Sequence, residues 1–181
     1  MSVGATTTVK VLVLGPQRER GRQLLASLAD VRVLAADDDA VFGRETTSLR
    51  ADFGRVELST QLAISLVAVD RAETLQAAWP AVGDGLLGAL VLAPLDDRAL
   101  ADCADLVAAA RSRGVATQVV LRLDGDARDD DDLRAALELD GDAPVLDVDP
   151  AARDDVRAAV LALLQATLRA HARDRAPAPS R

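Results

Sequence analysis

The sequence is poor in the residues that enzymes most often use for nucleophilic and acid–base chemistry. Its 181 residues include one cysteine, Cys103, one histidine, His171, and one lysine, Lys10. A single cysteine excludes an internal disulfide framework and a cysteine-based zinc cluster. A single histidine close to the end of the last predicted helix argues against a Ser–His–Asp triad. We interpret Cys103, within Ala-Asp-Cys-Ala-Asp, as a small helix residue.

Aromatic residues and positive charge are also scarce. The chain has no tyrosine, two phenylalanines and one tryptophan, so its core must be mainly aliphatic. The formal net charge of −8 disfavours nonspecific nucleic-acid binding, which requires a basic face. No apolar run approaches the length of a membrane span, and the first residues show no secretory signal pattern. These absences predict a cytoplasmic protein, with at most peripheral membrane association through a partner.

Half of the residues are apolar, which predicts one folded domain over residues 9–172. Residues 1–8 are predicted to be an N-terminal tail, and the Pro-rich residues 173–181 a disordered C-terminal tail. Within the domain, short apolar runs alternate with helical stretches, which is typical of a mostly parallel sheet covered on both faces. The predicted strands are 10–14, 49–58, 62–69, 88–93, 117–123 and 145–148, and the predicted helices are 22–28, 72–81, 97–113, 129–139 and 150–172.

One connection distinguishes this pattern from other doubly wound folds. Only three residues separate the second and third predicted strands, 49–58 and 62–69, so the two must form an antiparallel hairpin. A six-stranded, mostly parallel sheet with one antiparallel edge hairpin and helices on both faces is the arrangement of Ras-like P-loop NTPases. A phospho-receiver domain is disfavoured because Gly15-Pro16, not an acidic pair, follows the first strand, and no lysine follows the fifth.

The first strand runs through Gly15 into a helix, as the phosphate-binding loop G-x-x-x-x-G-K-[ST] does. The residues that hold the phosphates and Mg²⁺ are nevertheless missing. Counted from Gly15, the second glycine falls on Arg20, the lysine on Gly21 and the hydroxyl on Arg22. A shift of one position restores a glycine at Gly21 but leaves Arg22 and Gln23 in place of Lys and Ser/Thr.

Further segments give a more specific resemblance. Thr46-Thr-Ser, followed by Ala51-Asp-Phe-Gly-Arg55, resembles the Thr-rich switch and "M-D-F-G-R" strand of actinobacterial conservon-type Ras-like small GTPases. Residues 85–92 and 143–149 resemble later strands of that family, so the similarity covers roughly residues 9–170. The resemblance implies a GTP-binding signalling protein that works with a roadblock-type protein and a sensor kinase-like protein.

The sequence departs from the family where nucleotide is handled. Ala68-Val-Asp-Arg-Ala-Glu-Thr74 stands in place of G-T-P-G-Q-E-R, and Leu121-Arg-Leu-Asp124 in place of N-x-x-D. By resemblance, the vestigial nucleotide-binding residues are Gly15, Gly21, Arg22, Thr46, Thr47 and Asp124. Asp124 is also interpretable as an ordinary loop residue, and Arg18, Arg20 and Arg22 either as phosphate ligands or as solvated residues.

These departures predict a pseudo-GTPase that acts as a protein-interaction subunit, with no catalytic residue and no metal site. We expect no resident cofactor and at most weak binding of GTP or GDP with Mg²⁺. The alternative is an active GTP-binding and hydrolysing switch that uses an atypical loop. The three aromatic residues, Phe42, Phe53 and Trp79, flank the switch-equivalent segments and are predicted to bind the partner, although core packing is an equally simple role for them.

Two helix starts are predicted from local signals. The run Asp129–Asp132 is interpreted as the negatively charged start of a helix rather than as a metal site. Pro150, after Asp149 as N-cap, is predicted to begin the last helix. One helix end is predicted as well: Gly114, which follows Arg111 and Arg113, should end the helix 97–113.

Overall fold

The computed structural model describes residues 7–28, 34–35, 51–116, 118–123 and 125–175. Within these ranges the chain forms seven strands and five helices. The strands are β1 (Thr7–Leu14), β2 (Leu34–Ala35), β3 (Asp52–Ser59), β4 (Leu62–Val69), β5 (Leu86–Ala93), β6 (Gln118–Leu123) and β7 (Val145–Val148). The helices are α1 (Arg18–Leu28), α2 (Ala72–Val82), α3 (Asp97–Arg111), α4 (Asp130–Ala136) and α5 (Arg153–Arg175).

The strands form one sheet in the order β2-β3-β4-β1-β5-β6-β7. β1 lies between β4 and β5 and is parallel to both, and β5, β6 and β7 continue the parallel part. β3 is antiparallel to β4 and to β2. The α/β class, the hairpin and its antiparallel strand are therefore confirmed, and all six predicted strands are present. The two-residue β2, which the sequence analysis did not predict, extends the sheet beyond β3.

The central strand β1 shows why the sheet is covered on both faces. Val11 and Val13 point to one face, where they pack with α1 and α5, and Leu12 and Leu14 point to the other, beneath α2 and α3. All four side chains are buried. Successive side chains of a strand alternate between the two faces, so an unbroken apolar run is what a sheet buried on both sides requires.

Local capping signals predicted two helix boundaries correctly. The Asp129 carboxylate accepts a hydrogen bond from Asp132 N at 2.8 Å and so caps α4, as predicted. α3 ends before Gly114, whose φ of +87° is in the left-handed region, and Val115 N donates to Ala110 O across this turn at 3.2 Å.

The predicted start of the last helix at Pro150 was wrong. Asp149 caps a turn instead, because its carboxylate accepts from Ala151 N at 2.9 Å and its carbonyl accepts from Ala152 N at 2.9 Å. Its own amide donates to the Asp155 carboxylate at 3.0 Å. α5 begins after this turn, at Arg153, and runs to Arg175, beyond the predicted domain boundary at residue 172.

None of the helices in the described ranges combines the length and the apolar character needed to span a bilayer.

Candidate functional site

The candidate site lies at the carboxyl ends of the parallel strands, where ligands bind in open α/β sheets. At this edge β1 ends at Leu14 and α1 begins at Arg18, so three residues connect them. The prediction that α1 begins at Arg22 was wrong. Arg20 N and Gly21 N both donate to Gln17 O, at 3.0 and 3.3 Å, as in a first helical turn.

The early helix start shortens the connection that binds phosphate in a P-loop. That loop has four residues between its glycines, and here the last two of the corresponding residues, Arg18 and Glu19, are already helical. Glu19 in the first turn is favourable for the helix dipole, and arginine is a good helix former. Gly21 is buried in α1, while Arg22 is exposed and lies on the solvent side of the helix. Local helix propensity therefore accounts for the changed connection.

A nearly buried ion pair occupies the space beside the start of α1. Arg18 Nε donates to Asp52 Oδ2 at 2.9 Å, and Arg18 Nη2 donates to Asp52 Oδ1 at 3.0 Å. The Asp52 side chain is 1 % exposed and that of Arg18 is 30 % exposed. This two-point geometry is the strongest form of arginine–carboxylate contact. It ties the first turn of α1 to the antiparallel strand β3.

The two glycines assigned to phosphate binding are close to other chain segments. A Cβ on Gly15 would lie 2.9 Å from Leu92 Cβ, and a Cβ on Gly21 would lie 3.2 Å from Ala68 Cβ. The cavity beside them, which Arg18 and Asp52 also line, has a volume of about 10 Å³. This is about the minimum for one water molecule. In this structure both glycines allow close packing against neighbouring segments, and their assignment to phosphate binding stays a prediction.

The second switch-equivalent segment, residues 68–74, is divided between the end of β4 and the first turn of α2. Arg71, which stands where the family has the γ-phosphate glycine, precedes α2 with an extended backbone and offers no side-chain cap. Its carbonyl accepts a hydrogen bond from Leu75 N at 3.1 Å. Glu73, the residue that matches the family, lies exposed in the first turn of α2. The single lysine, Lys10, donates to Ala81 O at 2.8 Å, at the other end of α2.

A second set of arginines links elements at the other part of this edge, at the ends of β5, β6 and β7. Arg122 Nε donates to Asp147 Oδ1 at 2.5 Å, and Arg122 Nη1 donates to Asp130 Oδ1 at 2.9 Å. The hydrogen bond from Arg122 holds the pKa of the Asp147 carboxyl below its usual value. β6, β7 and the start of α4 are thus joined by one guanidinium group.

Arg128 makes the matching link to β5. Its guanidinium donates to Asp126 Oδ1 at 2.8 Å and to Asp126 Oδ2 at 2.6 Å, and Nη2 also donates to Pro94 O. The Asp126 side chain is nearly buried, and its pKa is lowered by the hydrogen bond from Arg128. Sequence reasoning missed both arginines, although the Asp126-x-Arg128 spacing is compatible with an Asx turn, in which Arg128 N donates to Asp126 Oδ1 at 3.1 Å.

Several predicted residues lie outside the described part of the chain. They are Thr46 and Thr47, the candidate switch hydroxyls, Asp124, the candidate base ligand, and Phe42. Their roles stay predictions. The neighbours of Asp124 are described, and Gly125 has a φ of +89°, so a tight turn follows β6.

The structure does not bring the other two aromatic residues to one surface. Phe53 lies opposite Val67, near the carboxyl end of β4, and packs partly buried against the core. Trp79 lies in the last turns of α2, which returns to the amino-terminal edge of the sheet. There the Arg113 guanidinium stands 5.8 Å from the centroid of the indole ring.

Cys103 is unsuited to nucleophilic chemistry. It is buried in α3, with Sγ 3.7 Å from Leu92 O, and burial raises the pKa of its thiol to about 12. A thiol with that pKa is not ionised near neutral pH. Its sequence interpretation as a structural helix residue fits this setting.

Comparison with known proteins places the fold but not the function. No protein-family profile and no curated protein sequence matches the chain. Among solved structures, the cytosolic domain of the Thermotoga maritima FeoB iron transporter matches in one GDP form with a TM-score of 0.58 and 12 % identity, over 89 % of this chain and 64 % of that one. The apo form of the same domain matches with a TM-score of 0.59 and 11 % identity, over the same shares of the two chains.

A second GDP form of the same domain gives a TM-score of 0.57 and 12 % identity, over 91 % of this chain and 65 % of that one. The chain thus spans just under two thirds of the domain it matches. The predicted GTPase-like α/β fold is confirmed. Identity this low carries no conclusion on nucleotide binding or transport.

Replacing Gly15 with alanine should destabilise the protein, because the new Cβ would lie 2.9 Å from Leu92 Cβ. Overpacking of this kind costs about 1–3 kcal/mol. Gly141→Ala is the control, since nothing lies within 4 Å of its added Cβ, and should change the free energy of unfolding by less than about 0.5 kcal/mol. Urea denaturation measures both. Equal stability of the two variants would contradict the packing role of Gly15.

Replacing Asp52 with asparagine should lower the free energy of unfolding by about 1–3 kcal/mol, because it leaves the half-buried Arg18 without its carboxylate. The matched control is Asp147→Asn, whose carboxylate also pairs with an arginine but is 70 % exposed, and it should lower the free energy of unfolding much less. The double variant Arg18→Met/Asp52→Leu should recover part of the loss, since both charges of this pair are then replaced by apolar side chains. Equal effects of the two single variants would show that the pair is not a structural link.

Proposed function

We propose that this protein is a pseudo-GTPase, a GTPase-like fold that works as a protein-interaction subunit without binding GTP tightly. The observation that carries the proposal is the Arg18–Asp52 pair beside a helix that begins at Arg18. The pair lies beside Gly15 and Gly21, and the amides of Gly15, Arg20 and Gly21 donate to backbone carbonyls of the protein itself. The fold itself is the part that the comparisons with solved structures support.

The expected energetic consequence is large. A P-loop lysine and a metal-binding hydroxyl are charge-assisted contacts worth roughly 1.5–3 kcal/mol each. The loss of two such contacts would weaken a nanomolar site to micromolar or weaker, since about 1.4 kcal/mol corresponds to a factor of ten. A nucleotide would also have to break the Arg18–Asp52 pair before its phosphates could approach Gly15.

The experiment is a titration of the protein with fluorescent GDP and GTP, with and without Mg²⁺, using a GTPase with an intact P-loop as the positive control. We expect no saturable binding at micromolar protein concentration, and phosphate release equal to that of a blank without protein, because no lysine, metal hydroxyl or water-positioning glutamine is in place. Tight Mg²⁺-dependent binding would establish the alternative, an active switch with an atypical loop. Asp52→Asn should not restore binding, because α1 still begins at Arg18.

By resemblance, the partner within this proposal is a roadblock-type protein, with a sensor kinase-like protein in the same system. In Ras-like folds the γ-phosphate orders the segments that contact effectors. With no γ-phosphate to sense, the surface beside the β3–β4 hairpin would be held by packing alone. The complex should then form without nucleotide. Within this proposal the protein is cytoplasmic and associates with a membrane only peripherally, through its partner.

Phe42→Ala should weaken binding to a co-expressed roadblock-type protein by about 2 kcal/mol, the usual scale of an aromatic hot spot. Trp79→Phe is the matched control and should leave the affinity unchanged, because Trp79 lies at the amino-terminal edge of the sheet. Affinity is measured by isothermal titration with nucleotide removed. A requirement for added GTP, or a larger effect from Trp79→Phe, would contradict the assignment of the interaction surface.

A further inference from the structure

A cavity of about 240 Å³ lies at the amino-terminal edge of the sheet, opposite the candidate site. It is surrounded by the beginning of β5, the last turns of α2, the loop between α3 and β6, and the second half of α5. We call this cavity the Trp79 pocket, because its wall includes the one tryptophan of the chain. The other polar side chains in its wall are those of Arg113, Thr167 and His171. None of these four residues belongs to the candidate site at the other edge.

Backbone amides at the rim of the Trp79 pocket have partners within the chain. Gly83 N donates to Trp79 O at 2.9 Å, and Val115 N donates to Ala110 O at 3.2 Å. An amide that already donates a hydrogen bond gains little from a ligand. Polar recognition of a ligand in this pocket therefore depends on side chains.

Arg113 brings a permanent positive charge to the pocket. Its guanidinium lies 5.8 Å from the centroid of the Trp79 ring, and Nη1 donates to Ala109 O at 3.4 Å. Stacking uses the face of a guanidinium, and this hydrogen bond uses one of its five N–H groups. In the described part of the chain no carboxylate is paired with Arg113, and no described residue of the pocket wall is acidic. The contacts that hold Arg113 in place thus do not neutralise its charge.

His171 supplies a second polar atom. Its Nδ1 lies 2.9 Å from Thr167 O, and the hydrogen belongs on Nδ1 because a carbonyl oxygen only accepts. Nε2 remains for a ligand, and it donates a hydrogen bond when the imidazole is protonated. The Thr167 hydroxyl donates to Leu163 O at 2.9 Å and therefore offers a ligand no donor. A guanidinium and an imidazole, with no carboxylate beside them in the described wall, are complementary to a carboxylate.

The rest of the pocket wall is mostly apolar. Leu86 and Leu87 at the beginning of β5 and Ala170 on α5 are half-buried, and Val115 is buried. The volume of the pocket lies just below the range of about 300–1,000 Å³ that is usual for drug-sized ligands. A wall of this size and character fits a ligand with a small hydrocarbon body. An inorganic anion would leave the apolar side chains without a contact.

We propose that the Trp79 pocket binds a small organic carboxylate with an apolar body, such as an arylalkanoate. The carboxylate accepts hydrogen bonds from Arg113, with His171 as the second donor, and the body lies against Leu86 and Leu87. The charge-assisted contact with the arginine selects for the acid, and the apolar wall selects against simple anions. Binding here does not depend on nucleotide, because the pocket and the candidate site lie at opposite edges of the sheet.

The test uses the full chain and the fluorescence of Trp79. This signal reports on the pocket without a label, because the chain has no other tryptophan and no tyrosine. The probes are phenylacetate, phenylacetamide, which has the same shape without the charge, and acetate, which has the carboxylate without the apolar body. Phenylacetate should change the emission saturably at millimolar concentration or below, and should bind at least about tenfold more tightly than either other probe.

Arg113→Met should weaken the binding of phenylacetate by about tenfold or more, because it removes the charge and keeps an unbranched side chain beside Trp79. The matched control is Arg98→Met, which removes the same charge at an exposed position in the first turn of α3. That turn lies at the other edge of the sheet, so the control should leave the affinity unchanged.

A second, independent variant fills the pocket. Ala170→Phe should abolish saturable binding, whereas Ala172→Phe, at an exposed position of the same helix, should not. Circular dichroism establishes that each variant is folded. Equal binding of phenylacetate and phenylacetamide, or of phenylacetate and acetate, would overturn the proposal, and neither comparison requires a variant. So would the absence of any saturable change in Trp79 emission, or phenylacetate binding that survives Arg113→Met or Ala170→Phe.

Discussion

The Arg18–Asp52 ion pair is the contact on which the arrangement of this edge depends. It joins the first turn of α1 to β3, two elements that lie thirty-four residues apart in sequence. Its guanidinium and carboxylate satisfy each other at two points, so the near burial of Asp52 carries no lone charge.

The other end of the same edge is organised in the same way. Arg122 and Arg128 connect the ends of β5, β6 and β7 through Asp147, Asp126 and the carbonyl of Pro94. The loops at the carboxyl ends of parallel strands normally depend on a ligand or on each other for their order. Arginine–aspartate links join neighbouring elements at both ends of this edge, and this arrangement supports the proposal of a scaffold that does not switch.

The overall fold could be predicted because its signals are local. The apolar runs of β1 and β4, and the short connection between β3 and β4, define a parallel sheet with one reversed strand. Asp129 and Gly114 marked helix ends through contacts made within a few residues. The predicted start of the last helix at Pro150 was wrong because Asp149 is equally able to cap a turn. The predicted start of α1 at Arg22 was wrong because it was counted from the P-loop motif, whereas the local helix propensity favours an earlier start. The two-residue β2 is too short to show in a hydrophobic pattern.

The candidate site was harder to predict, because its defining contacts join distant residues. No pattern around Arg18 points to Asp52, and the tightness beside Gly15 comes from Leu92 on another strand. Trp79 follows the second switch-equivalent segment closely in sequence, but one helix carries it to the opposite edge of the sheet. Such placements follow from topology and cannot be read from neighbouring residues.

The most direct test of the account is the nuclear magnetic resonance signal of the Arg18 Nε–H group, assigned by its loss in Arg18→Lys. A hydrogen bond to a buried carboxylate should give one slowly exchanging resonance. We predict that millimolar GDP or GTP with Mg²⁺ leaves its chemical shift and exchange rate unchanged, because the ion pair stays closed. A saturable change in that resonance on addition of nucleotide would show that the pair opens for phosphate, and would contradict the account.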